Sequence, residues 1–326
     1  MQKSIHFLHT VTMSAALTVA AFNPWSCPSA AAAAPIVKTA APGYYRMMLG
    51  DFEVTALSDG TFAMPVLDLL INTTPEQVKQ ALAKVYLTSP VEASVNAFLI
   101  NTGSKLILID TGAGKLFGPT LGNVVANLKA SGYQPEQVDE IYITHMHADH
   151  IGGLMSGDKL AFPNAVLRTD KSDADYWLSQ QNLDQAPADA KGSFQNAMAS
   201  VDPYAKAGHF KPFAGNGELV PGIRSVATHG HTAGHNCYLI ESKGQKLIVL
   251  GDLIHVAAVQ FADPSITMKY DSELTAAIAA RETIFADAAE HGILLAGAHL
   301  SFPGLGHLRP QGNGYTWIPV NYTVVR

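Results

Sequence analysis

The chain has 326 residues, enough for one large α/β domain or for two domains of about 150 residues each. Hydrophobic residues make up 48% of it and charged residues only 15%, which excludes a disordered, collagen-like or coiled-coil chain. The formal net charge of -6 argues against a general nucleic-acid binder, so we expect no nucleic-acid partner.

The N-terminus has the pattern of a secretory signal peptide. Lys3 is followed by an apolar stretch at residues 11–22 and by a run of small residues at 29–34. This apolar stretch is too short for a spanning helix, which needs about 20 residues, so we expect no stable membrane span. The pattern predicts a signal peptide over residues 1–34, a mature domain over residues 35–326, and export to the periplasm or the medium.

The chain contains 2 cysteines, and Cys27 lies in the predicted leader. The mature chain would keep only Cys237, which excludes a disulfide within the chain. Cys237 begins an apolar run, and we expect its thiol to be buried and unreactive.

Apolar runs bounded by turn residues predict strands along the mature chain. Several are nearly continuously apolar, which is typical of strands covered on both faces of a sheet. The predicted strands are Phe52–Leu57, Ser94–Asn101, Lys105–Asp110, Asp139–Thr144, Asn164–Thr169, Asn236–Glu241, Lys246–Gly251 and Ile293–Gly297.

Helical patterns lie between these strands. The first begins with Thr74, Pro75 and Gln77, which form a capping box with proline at the first helical position. Glycines follow two of the patterns as C-terminal stops. Strands and helices in one chain, with no long linker, predict a single compact α/β domain. The predicted helices are Thr74–Tyr86, Thr120–Ser131, Lys171–Gln181 and Asp271–His291.

The strongest local motif follows the strand predicted at Asp139–Thr144. It places His145, His147, Asp149 and His150 within six residues, on a strand-to-helix loop. Imidazole nitrogens and carboxylate oxygens are donors that suit Zn²⁺, and a short loop can direct all of them to one place. The motif therefore predicts a metal site.

Further donors stand at the ends of other apolar runs. A histidine of the motif GHTAGH at residues 230–235, together with Asp252 and His299, brings the number of donors to seven. Four ligands close a structural zinc site, whereas seven suit two ions about 3.5–4 Å apart that share a carboxylate. The alternative is one structural zinc with incidental histidines.

This succession of HxHxDH, GHTxGH, a strand-terminal Asp and a late His resembles the metallo-β-lactamase superfamily. Over nearly the whole mature length the chain resembles, more narrowly, the methyl parathion hydrolase family. The stretches that carry the resemblance are PGYYRMMLGDFEVTALSDG, NTGSKLILIDTGAG, LFGPTLG, GYQPEQVDEIYITHMHADHIGGL, GDLIHVAAVQF and AHLSFPGLGH.

The resemblance implies a four-layer αββα sandwich and two divalent metal ions. We expect Zn²⁺, with Mn²⁺, Fe²⁺ or Co²⁺ as alternatives, because no thiolate ligand narrows the choice. In GHTAGH the family's ligand is the first histidine, which is His231 rather than His235. One ion would be held by His145, His147 and His231 and the other by Asp149, His150 and His299, with Asp252 as the bridge.

Asp110, at the end of another predicted strand, matches a family acid that supports the metal site from behind. Such partners orient the ligand imidazoles. Its alternative role is to bond the backbone of the turn that follows it.

Two cations lower the pKa of a shared water to about 7 or below, so a metal-bridging hydroxide could attack a carbonyl carbon or a phosphorus. The chain has no GxSxG motif, which disfavours serine catalysis. We expect Asp149, Asp252 and His255 to take part in catalysis. The two carboxylates would act as metal ligands, and His255 would donate a hydrogen bond to a carbonyl or leaving oxygen.

The resemblance also suggests a pocket for small lipophilic esters. Phe117, Trp177 and Phe194 match the aromatic residues that line it in the family, and aromatic walls favour flat, uncharged substrates. His255, Met268 and Tyr270 depart from the phosphotriester-degrading member and would make the pocket narrower and more polar.

We therefore expect lactones and aryl esters as the preferred substrates, with phosphotriesters such as methyl parathion as additional ones. The main alternative is an enzyme that is primarily an organophosphate phosphotriesterase. More remote alternatives are a metal-dependent oxidoreductase on the same fold and a non-catalytic binding module. A homodimer remains open as the oligomeric state.

Overall fold

The computed structural model describes residues 34–324. The chain divides into two units, residues 1–40 and 41–326, and all the elements given below lie in the second. The predicted signal peptide lies outside the described residues except for its last position. The leader, its boundary and export therefore stay predictions.

The strands of this second unit form two large sheets and two small ribbons. In chain order they are β1 (Tyr44–Leu49), β2 (Phe52–Met64), β3 (Leu70–Ile71), β4 (Val91–Asn101), β5 (Leu106–Ile109), β6 (Glu140–Tyr142), β7 (Met155–Ser156), β8 (Lys159–Leu160), β9 (Val166–Arg168), β10 (Gly217–Val220), β11 (Ile223–Ala227), β12 (Asn236–Ser242), β13 (Gln245–Val249), β14 (Thr267–Met268), β15 (Leu294–Ala296), β16 (Leu305–Gln311) and β17 (Gly314–Pro319).

The helices lie between and after these strands. They are α1 (Val66–Leu69), α2 (Pro75–Ala83), α3 (Val124–Ala130), α4 (Ala148–Ile151), α5 (Lys171–Trp177), α6 (Gln180–Gln185), α7 (Lys191–Lys206), α8 (Ala257–Gln260) and α9 (Leu274–His291). Short 3-10 helices cover Pro135–Gln137, Gly152–Leu154 and Gly251–Leu253.

The first sheet has the strand order β1-β2-β4-β5-β6-β9 and the second the order β10-β11-β12-β13-β15-β16-β17. Most neighbouring strands are antiparallel. The pairs β5–β6, β6–β9 and β13–β15 are parallel. Each sheet therefore has parallel strands whose carboxyl ends meet at one edge, where sites of α/β folds commonly form.

The two sheets pack face to face, and helices cover their outer faces. Phe98 and Tyr142 of the first sheet and Tyr238 of the second belong to the core between them. Helices α3, α5 and α7 pack on the outer face of the first sheet, and α9 packs on that of the second. The predicted four-layer αββα sandwich is confirmed.

Strand β5 shows why the apolar runs are continuous. Ile107 and Ile109 point into the core between the sheets, whereas Leu106 and Leu108 point toward the helices, and all four are buried. Because successive side chains of a strand alternate between faces, a strand covered on both sides must be apolar throughout.

Several predicted secondary-structure elements are confirmed, whereas others differ in their bounds from the prediction. The capping box of Thr74 and Gln77 is present at the start of α2, and Gly292 ends α9 in the left-handed conformation. The pattern predicted as one helix over Lys171–Gln181 is divided into α5 and α6, with Ser179 capping the second. Helix α7 was not predicted, because its sequence is largely polar and contains Gly192 and Pro203.

None of the helices within residues 34–324 has the length and apolar character that a membrane crossing requires.

Candidate metal centre

The predicted donors meet where parallel strands of both sheets end. Strand β6 leads into the loop and helix α4 that carry the HxHxDH motif. The loop between β11 and β12 carries His231, Asp252 follows β13, and His299 follows β15. Four chain segments that are far apart in sequence thus bring their donors to one edge of the sandwich.

The first donor group comprises His145, His147, His231 and Asp252. Nδ1 of His147 lies 3.0 Å from Nε2 of His145 and 3.0 Å from Nε2 of His231. Oδ2 of Asp252 lies 3.5 Å and 3.3 Å from these two Nε2 atoms. A tetrahedral zinc ion with bonds of about 2.0–2.1 Å separates its ligand atoms by about 3.3 Å, so the group has the dimensions of such a site.

The second donor group comprises Asp149, His150, His299 and again Asp252. Here the other oxygen of Asp252, Oδ1, lies 3.1 Å from Nε2 of both His150 and His299. Oδ2 of Asp149 lies 3.4 Å from His299 and 3.6 Å from His150. Asp252 therefore faces one group with each oxygen, which is the arrangement of a bridging carboxylate.

Two buried polar atoms at the centre, Nε2 of His150 and Oδ1 of Asp252, form no well-directed hydrogen bond among the described residues, although they lie 3.1 Å apart. A buried polar group without a partner costs about 1–3 kcal/mol, and coordination to a metal ion would remove this cost at both atoms. The donor set and its unpartnered atoms thus fit two divalent ions.

Two of the candidate ligand imidazoles, His150 and His299, are oriented by contacts of their Nδ1 atoms with groups behind the site. That of His150 lies 2.9 Å from Oδ2 of Asp110, and that of His299 donates to the carbonyl of Ser94 at 2.9 Å. These contacts leave Nε2 free to face the centre. Polar partners of this kind fix the ring orientation and the tautomer of metal-binding histidines.

The carboxylate of Asp110 also accepts hydrogen bonds from the backbone N–H and the hydroxyl of Thr144, both at 2.8 Å. Its side chain thus bonds the loop that carries the HxHxDH motif. Of the two roles considered for Asp110, the contacts favour support of the metal site.

His235 and His229 stay outside both groups. The buried ring of His235 accepts a hydrogen bond from the backbone N–H of Asp252 at 3.0 Å, and its Nδ1 lies 2.9 Å from the Thr228 hydroxyl. Burial and the nearby His231 lower the pKa of His235 to about 3, so its ring is neutral. The His229 side chain is 41% exposed.

The pKa values of two candidate ligands differ in the metal-free chain. Burial, together with the neighbouring His231, lowers the pKa of His147 to about 3, so its ring is ready to bind a cation. Burial alone would also lower the pKa of His231, but the carboxylates of Asp252 and Asp271 raise it to about 9. A metal ion at His231 has to displace that proton.

A cavity of about 400 Å³ opens onto the donors. Three of the six predicted pocket residues line it, namely Phe117, His255 and Tyr270. Phe62 was not predicted; its ring lies between Phe117 and His299, with centroid distances of 5.9 and 6.2 Å. The remaining lining residues are Met64, His147, Ala148, Asp149, Asp189, Gly192, Ser193, Asn196, Asp252 and His299.

The other three predicted pocket residues, Trp177, Phe194 and Met268, are not among these lining residues. The half-buried Trp177 ring packs edge-on against His147 at 5.5 Å and at a tilt against the buried Phe194 at 4.8 Å. Met268 is fully buried in a core cluster, because β14 pairs with β3 and turns its side chain inward.

His255 stands directly beside the candidate bridge. Its Nε2 lies 3.0 Å from Oδ2 of Asp252, and its ring stacks on that of His299 with centroids 5.3 Å apart. Nδ1 is buried and has no hydrogen-bond partner in the described chain. The side-chain carbonyl of Gln260 accepts the backbone N–H groups of His255 and Val256, both at 2.9 Å, and thereby holds the segment after Asp252.

One acid at the site was missed in the sequence. Asp271 is buried, and its Oδ1 lies 2.7 Å from Nδ1 of His231. Asp271 is the first residue of the helix predicted at Asp271–His291, a position where aspartate commonly serves as a cap. The helix begins only at Leu274, and Asp271 instead accepts the backbone N–H of Met268 and supports a candidate ligand.

Known proteins that are similar to this chain in sequence or fold include a hydrolase and several lactonases. The model of the metallo-beta-lactamase superfamily matches residues 91–289. An N-acyl homoserine lactonase from Bacillus cereus is 27% identical over 196 residues, which cover 54% of this chain and 70% of the relative.

Two solved structures are similar over most of the chain. The hydrolase AbOPH of the beta lactamase superfamily is 37% identical, with a TM-score of 0.83, and the match covers 88% of this chain and all of that one. The dizinc quorum-quenching lactonase AidC, solved with a product, is 27% identical, with a TM-score of 0.78 and coverage of 86% and 99%. Together with the two donor groups, these similarities support a binuclear site for divalent metal ions.

Proposed function

The chain belongs to the metallo-β-lactamase superfamily and is a metal-dependent hydrolase, and we propose that its preferred substrates are uncharged lactones and aryl esters. The observation that carries the proposal is the position of Asp252. It lies between two donor groups, each of which can hold one ion, at the base of a cavity of about 400 Å³.

We propose the ligand assignment that the family resemblance implies. His145, His147 and His231 would hold one ion, Asp149, His150 and His299 the other, and Asp252 would bridge them. When bound, two such ions supply hydroxide at neutral pH and polarise the oxygen of the bond under attack. Zinc is the proposed metal, because the donors are nitrogen and oxygen atoms and because the similar lactonase AidC is a dizinc protein.

The walls of the cavity support an uncharged, partly aromatic substrate. Phe62, Phe117 and Tyr270 provide an apolar side, with Phe117 and Tyr270 about half exposed. No lysine or arginine occurs among the described residues that line the cavity. An anionic substrate would therefore find no cationic side chain there, whereas a flat neutral ester could pack on the rings.

His255 is the residue that we propose to favour a carbonyl substrate. Its imidazole lines the cavity beside Asp252, with Nε2 3.0 Å from Oδ2 of that carboxylate. An N–H at this ring can donate a hydrogen bond to a carbonyl or leaving oxygen. An aryloxide leaving group that receives such a bond needs no strong general acid, whereas the more basic alkoxide released from an aliphatic lactone has to take up a proton.

The similarity to N-acyl homoserine lactonases adds support for a lactone. Phosphotriesters such as methyl parathion are proposed as additional substrates, since a hydroxide at this site could attack phosphorus as well as a carbonyl carbon. The second candidate function is that of an enzyme that acts primarily as a phosphotriesterase. A remote candidate is a metal-dependent oxidoreductase, which bound iron together with consumption of oxygen would reveal.

The test compares kcat/KM of the purified, zinc-loaded protein for dihydrocoumarin, an aryl acetate and methyl parathion. We expect the highest value for the lactone or the aryl ester. A highest value for methyl parathion would overturn the proposed preference and support the second candidate.

Two variants sharpen this comparison. His255→Gln should reduce kcat/KM for dihydrocoumarin about 10-fold or more and change methyl parathion hydrolysis less. The matched control is His229→Gln, because His229 is 41% exposed and stands outside both donor groups. Equal losses on all three substrates would contradict a carbonyl-directed role of His255.

A further inference from the structure

The first donor group depends on two loops that belong to different sheets. His145 and His147 come from the loop after β6 in the first sheet, whereas His231 comes from the loop between β11 and β12 in the second. Nδ1 of His147 lies 3.0 Å from Nε2 of His145 and 3.0 Å from Nε2 of His231. These short distances require the two loops to be held at a fixed separation.

A single buried carboxylate bonds both loops. Asp173, in the first turn of α5, is fully buried. Its Oδ2 accepts the backbone N–H of Met146 at 2.8 Å, and its Oδ1 accepts the backbone N–H of Gly234 at 2.7 Å. Met146 stands between His145 and His147, and Gly234 lies in the same short loop as His231.

The contact with Gly234 leaves no room for a side chain. A Cβ atom added there would lie 2.4 Å from the backbone nitrogen of Asp173 and 3.0 Å from its Cβ atom. The loop can therefore approach α5 this closely only because residue 234 is glycine. The second glycine of the GHTAGH motif thus has a packing role at Asp173.

The second donor group has anchors of its own. His150 contacts Asp110, and its carbonyl oxygen accepts the N–H and the hydroxyl of Thr111, both at 2.8 Å. His299 donates to the carbonyl of Ser94. None of these contacts passes through Asp173.

We infer that Asp173 is a positioning residue that sets the spacing of the first metal site, and of that site more than the second. The inference rests on the proposed binuclear centre. Asp173 does not touch the donors' ligand atoms; it acts through the backbone on both sides of them. Substitution of residues that orient metal ligands commonly lowers metal affinity 10- to 100-fold.

The test is Asp173→Asn, which keeps the shape of the side chain but turns one acceptor into a donor that faces a backbone N–H. The matched control is Asp175→Asn on the same helix, whose side chain is 63% exposed and pairs only with Lys171 among the described residues. Zinc and cobalt affinities of both sites are measured by titration of the metal-free full chain against a competing chelator.

We expect the first site of Asp173→Asn to bind at least about 10-fold more weakly and the second to stay within about threefold; a selective loss at the second site would contradict the inference. The Co²⁺ absorption of the weakened site should also shift, because its ligands are displaced. The control should bind both ions as the unaltered chain does. A merely structural role would lower the unfolding temperature without separating the two affinities.

Gly234→Ala is the second variant and should also weaken the first site more than the second. It tests the inference even if Asp173→Asn does not fold. Two affinities that stay within threefold, or that fall equally in the variants, would overturn the inference. If the unaltered chain binds fewer than two ions, the proposed function fails as well. If it binds two and the variants show no asymmetry, only the role of Asp173 fails.

Discussion

Nδ1 of His231 lies 2.7 Å from Oδ1 of Asp271, although the two residues are 40 positions apart in the chain. Both side chains are buried. The contact fixes which nitrogen of His231 faces the candidate metal site, so the acid contributes to the site without being a ligand.

Asp271→Asn should therefore weaken the first metal site. An amide can no longer stabilise the imidazole as a carboxylate does, and the loss of such a partner commonly costs 10- to 100-fold in metal affinity or activity. We expect a fall of this size in zinc affinity, measured by competition with a chelator.

The control for this variant is Asp287→Asn, on the exposed side of α9, where the carboxylate pairs with His291. It should leave zinc affinity unchanged. Unchanged affinity in Asp271→Asn as well would show that the contact with His231 has no role in metal binding.

Removal of the metals should destabilise the protein. The candidate ligands are almost all buried, and two of their atoms have no other partner among the described residues. An ion present at 100 times its Kd adds about 2.7 kcal/mol, which corresponds to a Tm difference of about 4 °C for a domain of this size. Calorimetry with and without a chelator measures this difference, and equal Tm values would count against bound ions.

The thiol of Cys237 should not react in the folded protein. The residue is fully buried, and burial raises the pKa of the thiol to about 12, although the Thr228 hydroxyl at 3.4 Å opposes this slightly. Because only the thiolate is nucleophilic, the reactive fraction stays negligible as the pH rises from 7 to 9.

A disulfide reagent applied to the chain with Cys27→Ser, which leaves Cys237 as the single thiol, measures this reactivity. We expect labelling only after denaturation. Rapid labelling of the native protein at pH 8 would contradict the buried position of Cys237.

Arg281 on α9 should be important for stability. Its buried guanidinium donates to the carbonyl of Leu253 at 2.6 Å and to the carbonyls of Pro264 and Ile266 at 2.8 and 2.7 Å. It lies 3.8 Å from the carboxylate of Asp271. Arg281 thus connects the segment after Asp252 with the acid behind His231.

Arg281→Met would remove the side-chain donor of the Leu253 and Pro264 carbonyls, whereas the Ile266 carbonyl keeps Gln260 as a donor and Asp271 keeps Met268. Each buried group that loses its partner costs about 1–3 kcal/mol, so the free energy of unfolding should fall by about 3 kcal/mol. Urea denaturation measures the change, with the exposed Arg309→Met as control. A loss below about 1 kcal/mol would show that water or a neighbouring side chain replaces the guanidinium.

The donors could be predicted because their positions follow from local rules. HxHxDH, Asp252 and His299 each stand directly after an apolar strand, and the ends of parallel strands meet at one edge of a sheet. The fold class could be predicted for a related reason, since strands buried on both faces, as in β5, are continuously apolar.

The supporting residues could not be predicted in this way. Asp173 and Asp271 both stand near the start of a helix, where aspartate is common as a cap or first-turn residue. Their contacts with Gly234 and His231 join segments that are 61 and 40 residues apart, and no local pattern records such a contact.

The pocket was predicted only in part for a similar reason. Phe117 and Tyr270 lie on exposed segments and reach the cavity, whereas Phe194 is buried between helices. Helix α7 was not recognised, so the side of the cavity formed by Ser193 and Asn196 could not be foreseen.

The most direct test of a binuclear hydrolase is the initial rate of dihydrocoumarin hydrolysis during stepwise addition of zinc to the metal-free chain, with bound zinc measured in each sample. We expect the rate to rise until two ions are bound per chain and then to stay constant, because each donor group holds one ion and both contact Asp252. Full activity without metal, or with a single bound ion, would contradict the account.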